Sequence, residues 1–237
     1  MRRVLVAVGI LVVLLVIADR IAVVVAERTV ARRIRADLSL QQTPSVSIHG
    51  FPFLQQAVAG RYSDVQVRIP DVDAGPLRNL RVDANLHQVR APLDKTISGR
   101  LAEVPVRDID GTLTVRYDDL AQASGIPGLR IASTGDGLRV SGTVQLPGGA
   151  VEASARGHIS VEDNDLVVTA DEAQVAGVDL PAAVLGSAAR LLSFRVSPKS
   201  LPLALRITGV RVGPDSLTVA AQAHDVVLRR GESPVTR

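Results

Sequence analysis

Four histidines, His49, His87, His158 and His224, are the side chains best suited to moving protons near neutral pH, and each stands alone in the sequence. A metal site or proton relay built from them has to be assembled in space, because no spacing advertises it. Paired carboxylates occur at Asp118-Asp119 and Asp108/Asp110. Both pairs fall at turns or helix starts, where solvation or capping accounts for them. Serine, histidine and aspartate are all present, so a nucleophilic triad is arithmetically available. Yet there is no Gly-x-Ser-x-Gly elbow, His-Glu-x-x-His, Gly-x-x-x-x-Gly-Lys or Ser-x-x-Lys. The absence of cysteine removes disulfides, thiolate ligands, cysteine nucleophiles and a lipid-modified Cys. No catalytic residue, metal or cofactor is expected.

What remains legible is apolar chemistry. His49-Gly50-Phe51-Pro52-Phe53-Leu54-Gln55, followed by Gly60-Arg61-Tyr62, gathers three of the five aromatic residues within thirteen positions. Two phenylalanines at a strand–helix corner could line the mouth of an apolar cavity, or plug one end of a sheet as core. A second run, Leu180 to Phe194, is nearly all small or apolar. A helix of that composition is buried or faces something apolar, and periodicity does not separate a sheet from a lipid chain.

The elements that must position these residues are mostly strands. From Ser45 the apolar pattern alternates with period two, at Val46 and Ile48, at Val65, Val67 and Ile69, and at Leu80, Val82, Ala84 and Leu86. Further strands are expected at 109–115, 138–146, 151–161, 166–170, 203–212, 217–223 and 225–228. Turn signals separate them at Asp71–Gly75, Gly135–Gly137, Pro147–Gly149, Asp163–Asp165 and Gly213–Asp215. This spacing predicts an antiparallel meander rather than βαβ units. Short helices are expected over Pro52–Val58, Tyr117–Ser124 and Ala182–Leu192. The fold class is therefore α+β, mainly β, behind an N-terminal membrane helix.

Apolar residues make up 46% of the chain but aromatic ones only 2%, so the core must be aliphatic. Binding of single-stranded nucleic acid is disfavoured, because stacking platforms are missing. Nor is the domain basic. Residues 1–35 hold seven basic and two acidic side chains, a net of +5, and the remaining 20 basic and 22 acidic side chains give −2. The positive charge is a collar beside the apolar segment, where attraction to anionic lipid follows.

Behind Arg2 and Arg3, Val4 to Ala18 is an unbroken apolar run, short of the roughly 20 residues of a spanning helix. Extended to Ala26, it contains one charged pair, Asp19-Arg20, placed to snorkel at the interface. A signal anchor or a cleaved signal peptide over 1–26 both fit. Two basic residues precede the run and five follow it, and the positive-inside rule would place the larger count in the cytoplasm, against export. Export rests instead on the signal-like pattern and the resemblance below. The helical pattern continues with Val23, Val30, Ile34 and Leu38 on one face until Thr43-Pro44. Residues 27–230 are expected to form the domain, and 231–237 a flexible tail.

The succession His49-Gly-Phe-Pro-Phe-Leu54, Gly60-Arg-Tyr-x-x-Val65, Glu103-Val-Pro-Val106, Asp110-Gly-Thr112 with Tyr117-x-x-Leu120, and Leu205-Arg-Ile-Thr-x-Val-Arg-Val212 resembles the LmeA-like phospholipid-binding family of actinobacterial envelope proteins. The likeness covers nearly the whole chain and includes Ala18-Asp19-Arg20. It implies an extracytoplasmic, membrane-associated domain with a curved sheet around a helix and an apolar groove for phospholipid. It also implies a part in building envelope lipoglycans. Phe51, Phe53, Leu54, Tyr62, Leu185, Leu191, Leu192 and Phe194 are the residues expected to meet lipid. The partners expected are phospholipid and membrane, with no nucleic acid. A lipid-modifying hydrolase and a lipid-free envelope scaffold are the competing readings. The first needs an unrecognised serine or histidine site and the second a filled interior.

Overall fold

A long apolar run and a two-residue period divide the chain between one helical rod and two sheets. The computed structural model describes residues 1–74, 76–92, 103–135, 137–146, 149–175, 182–196 and 205–229. The elements in chain order are α1 (Arg2–Asp37), β1 (Ser45–His49), α2 (Phe53–Ala59), β2 (Arg61–Ala74), β3 (Leu77–Arg90), β4 (Glu103–Arg116), α3 (Tyr117–Ala123) and β5 (Arg130–Ser133). There follow β6 (Leu138–Leu146), β7 (Gly149–Glu162), β8 (Asp165–Val175), α4 (Ala182–Leu192), β9 (Phe194–Val196), β10 (Arg206–Val212) and β11 (Ser216–Arg229). One sheet has the order β1-β2-β3-β4-β11-β10 and the other β5-β6-β7-β8-β9. Pairing is antiparallel and the sheets are not closed, so the mainly-β class and the N-terminal apolar helix are as expected. The strands form two sheets where the turn signals alone suggested one.

Several boundaries differ from expectation, each for a local reason. α1 ends at Asp37, well before Pro44, because Ser39 takes a left-handed φ of 51° and the Ser39 and Leu40 amides close back on Ala36 and Arg35. The two expected strands at 217–223 and 225–228 are one strand, β11, in which Asp225 adopts φ 50°. A polar residue inside an alternating pattern marks an irregularity there rather than an end. The tail expected at 231–237 and the start of the 203–212 strand lie outside the described residues.

Contacts divide the chain into two compact units. The first takes Met1–Ile69, Asp83–Gly111 and the stretch from Ala223; the second takes Pro70–Val82 and Thr112–Gln222. In the second unit α4 lies against β8, β6 and β7. Alternate residues of these strands point at it: Leu138 and Val140, Ala153 and Ala155, Leu166, Val168 and Ala170, all buried. Ala188 and Ala189 are the buried small residues of the helix, and a helix approaches a sheet closely where both surfaces are small. The Ser193 hydroxyl fastens its C-terminal end, donating to Ala189 O and accepting the Ala170 amide. The Tyr117 hydroxyl donates to Gly213 O at 2.7 Å, joining α3 to the β10–β11 turn. Asp119 neither caps nor is solvated; it is buried and accepts a bond from Asn79 Nδ2 at 3.0 Å.

Adjacent leucines on α4 give a direct test of this packing. Leu192 is 0% exposed and Leu191 48% exposed. Leu192→Ala should destabilise the protein by about 2–5 kcal/mol in denaturant unfolding, through the cavity it leaves. Leu191→Ala should change it by about 0.5 kcal/mol or less. Equal losses would contradict the described orientation of α4.

Candidate lipid-binding site

The first unit is organised by the start of a short helix. α2 begins after Pro52 with no side-chain cap of its own and no acidic residue in its first turn. Its leading amides need acceptors from elsewhere. Asp19 of α1 supplies one: its Oδ1 accepts the Leu54 amide at 2.8 Å, while its Oδ2 pairs with Arg20 at 2.6 Å. The Asp19 residue is only 2% exposed. The Arg20 guanidinium lies over the Phe51 ring, 5.3 Å from its centre. The charged pair expected to snorkel is thus a joint between α1 and the domain. Two turns on, Glu27 Oε1 accepts the Ile48 amide of β1 at 2.8 Å. Since β1 is the edge strand of its sheet, α1 supplies an acceptor for one of its backbone amides.

Glycine fixes both ends of α2. Gly50 has φ 106°, and a Cβ there would lie 2.5 Å from the Gln56 side-chain Nε2. Gly60 closes the helix at φ 62°, where a Cβ would come 2.7 Å from Pro92 Cα. Gln56 fills the space between, reaching His49 O and accepting the Ser63 amide. Inside this frame Phe53 and Ala57 pack with Val23 of α1, supported by Ala22, Ala26, Ile48 and Tyr62. The Phe53 and Tyr62 rings are 6.2 Å apart, and burial pushes the Tyr62 phenol above its ordinary pKa.

The buried side of α1 runs Asp19, Val23, Ala31, so the helix packs on the domain, as its amphipathic pattern implied. The expected stripe holds as far as Ile34, with Val23 buried and Val30 and Ile34 half-buried, and fails at Leu38, which is exposed. Beside that stripe an open groove of about 660 Å³ lies between α1 and the chain entering β1. It is lined by Val24, Val25, Glu27, Arg28, Ala31 and Arg32 on the helix and by Thr43, Pro44, Ser45 and Val46 opposite. Its volume falls in the ligand range of roughly 300–1,000 Å³. The floor is aliphatic, and neither Arg28 nor Arg32 forms an ion pair among the described residues.

The eight residues singled out from sequence fall into two groups. In the first unit Phe53 is core, Tyr62 is half-buried, and Phe51 and Leu54 are exposed. In the second, Leu192 is core, Leu185 and Phe194 are half-buried, and Leu191 is exposed. None of the eight lines the groove on α1. The groove's signal in the sequence is the pair Arg28 and Arg32, one turn apart on a helix with an amphipathic pattern.

Each histidine meets a carboxylate. His49 Nδ1 is 3.6 Å from Asp64, and His87 reaches Asp64 at 3.8 Å and Asp110 at 3.3 Å. His158 pairs with Asp171 at 2.9 Å and His224 with Asp108 at 2.8 Å. These are cross-strand pairs, half-buried at His87 and Asp64 and exposed at the other histidines, and among the described residues no hydroxyl hydrogen-bonds to an imidazole. No group of three or more His, Cys, Asp or Glu is gathered for a metal among the described residues.

The model of the LmeA-like phospholipid-binding family matches residues 17–222. The chain belongs to this family. Comparisons with curated proteins and with solved structures find no match. The family match begins at Ile17, two residues before Asp19, so the shared sequence includes the half of α1 that packs on the domain and omits most of the freely exposed half. Membership supports lipid binding and a phospholipid partner.

The Asp19 joint has a measurable signature. Asp19→Ala should speed hydrogen exchange at the Leu54 amide, because its acceptor is lost, and Asp19→Asn should largely restore protection through its remaining oxygen. Unchanged exchange in Asp19→Ala would remove the joint from the account.

Proposed function

We propose that this protein is an extracytoplasmic phospholipid-binding module of the bacterial cell envelope, tethered by α1 and serving lipid or lipoglycan handling. The observation that carries the lipid class is the family match over residues 17–222. The signal-like N-terminus supports the envelope location. The groove beside α1 is the site we assign. Acyl chain would lie along Val24, Val25, Ala31 and Val46, and the phosphate would face Arg28 and Arg32. Each CH₂ removed from water contributes about 0.8 kcal/mol, so an aliphatic floor with two guanidinium groups is sufficient chemistry for affinity. Phe53, Tyr62, Leu192 and Phe194 support this reading as packing residues, while Phe51, Leu54 and Leu191 offer apolar surface.

Full-length protein should take up fluorescent phospholipid from vesicles and release it to an organic extract, where mass spectrometry identifies it. An empty extract together with no uptake would end the proposal. Replacing Arg28 and Arg32 by Gln should weaken binding of anionic lipid by about 1 kcal/mol per residue, with less effect at high salt. Loss that ignores headgroup charge would move the site elsewhere.

We also assign α1 as a retained anchor rather than a removable leader. Cleavage after Ala26 would take away Asp19, Ala22 and Val23, and with them the α2 acceptor and part of the first unit's core. N-terminal sequencing of the mature protein should find the apolar segment intact. A mature chain starting at Glu27 would overturn this assignment.

A further inference from the structure

α2 carries an apolar flank that, apart from Arg20 over the Phe51 ring, the described residues of the first unit leave uncovered. Phe51 is 64% exposed, Leu54 39% and Val58 79%, and at spacings of three and four they share one side of the corner and helix. No Asp, Glu, Lys or Arg occurs between His49 and Arg61. A solvent-facing helix usually carries charge, so eleven uncharged residues with three large apolar side chains outward are unusual for a wet surface.

Its position relative to α1 says what covers it. From Val4 to Ile17 the large apolar side chains of α1 are exposed all around. Such a helix is long and apolar enough to cross a membrane. Beyond Ala18 the rod has two sides. On one, Ile21, Val24 and Val25 remain exposed, and Arg28 and Arg32 follow. On the other, Asp19 and Val23 are covered by α2. The fully apolar fifteen residues 4–18 span only about 22 Å at 1.5 Å per residue, against a hydrocarbon core of about 30 Å. Reaching that thickness requires lipid to extend to Val25 on the open side. At that depth α2 occupies the other side, so its outward flank lies at the same level as Ile21 to Val25.

We propose that Phe51, Leu54 and Val58 form a second membrane contact that enters the bilayer beside α1. This rests on the reading of α1 as an anchor. The flank completes an apolar segment that is too short on its own domain-facing side. Arg20, held by Asp19 over the Phe51 ring, lies within that segment, and its long side chain reaches toward the headgroup level that Val25 marks. The groove between α1 and β1 opens just beyond this level, at Val24 to Arg32. The first unit therefore sits in the membrane surface rather than swinging above it, with the groove mouth where lipid heads are.

The chain contains no tryptophan, so single Trp substitutions report depth without background. Val58→Trp and, separately, Val13→Trp are introduced into the full chain and reconstituted in vesicles of phosphatidylcholine with a minority of phosphatidylglycerol. A matched set of vesicles carries brominated phosphatidylcholine. The expected result is blue-shifted emission for both variants and loss of most of it in the brominated vesicles. Quenching in the Val13→Trp variant with water-like, unquenched emission in the Val58→Trp variant overturns the second contact and leaves the anchor standing. Failure of both variants to quench overturns the anchor reading, and this proposal with it. Val58 is the most exposed of the three, so a folding defect in that variant would register as lost native circular dichroism. Leu54→Trp then repeats the measurement from the same flank.

Discussion

Backbone amides at the start of a helix must find acceptors, and in this protein those of α2 look to the N-terminal apolar helix for one. α2 has a proline ahead of it, no acidic first turn and no cap of its own. The Asp19 carboxylate meets the deficit from α1, and its burial beneath α2 is tolerable only because Arg20 and the Leu54 amide both engage it. One requirement of hydrogen bonding thereby links the apolar N-terminus to the fold. Phe53 then has Val23 to pack on, Glu27 falls two turns later beside the Ile48 amide, and the groove takes shape between α1 and the entry to β1. Without the joint, α1 would hold to the first unit only through Val23 in its core and the Glu27–Ile48 bond.

The same joint explains the residue types gathered at this corner. Gly50 and Gly60 are required by left-handed backbone and close approach, Phe53 by the core, and Gln56 by two backbone partners. Asp19 and Arg20, about thirty positions away in sequence, belong to the same cluster. A motif of this sort marks a structural junction, not a set of reacting groups. The His–carboxylate pairs agree with that: His49, Asp64, His87 and Asp110 adjoin across strands, but among the described residues no hydroxyl is bonded to an imidazole.

Much of the fold is legible in the sequence because its signals are local. α4 at Ala182–Leu192 and β6 at Leu138–Leu146 can be read to the residue from composition, period and turns. The division into two sheets cannot, because strand order depends on pairings far apart in sequence, such as β4 beside β11. The end of α1 is hidden for a different reason. Pro44 is a visible stop, whereas the left-handed turn at Ser39 has no strong residue signature. The site is the least legible part. Aromatic residues draw attention to Phe51 and Phe53, but a groove made by Val24, Val25, Ala31 and Val46 consists of residues common everywhere in this chain. Only Arg28 and Arg32 distinguish it, and as part of a basic collar they read first as general membrane attraction.

That double meaning of the arginines bears on how a lipid would enter. A guanidinium at the membrane surface attracts every anionic headgroup, while a guanidinium beside an aliphatic groove holds one. The two roles coincide only if the groove lies at headgroup depth. With α1 as an anchor, its length would place the groove there: counted from Val4, the apolar side ends at Val25, and Arg28 follows within one turn. A phospholipid moving from the bilayer along α1 would then keep its phosphate near the same two side chains and its chains against the same aliphatic stripe. It would not have to cross water with its tails exposed, a step whose cost grows with every CH₂. Fixed depth, set by α1 and held by the Asp19 joint, would lower the barrier to lipid entry without any chemical step.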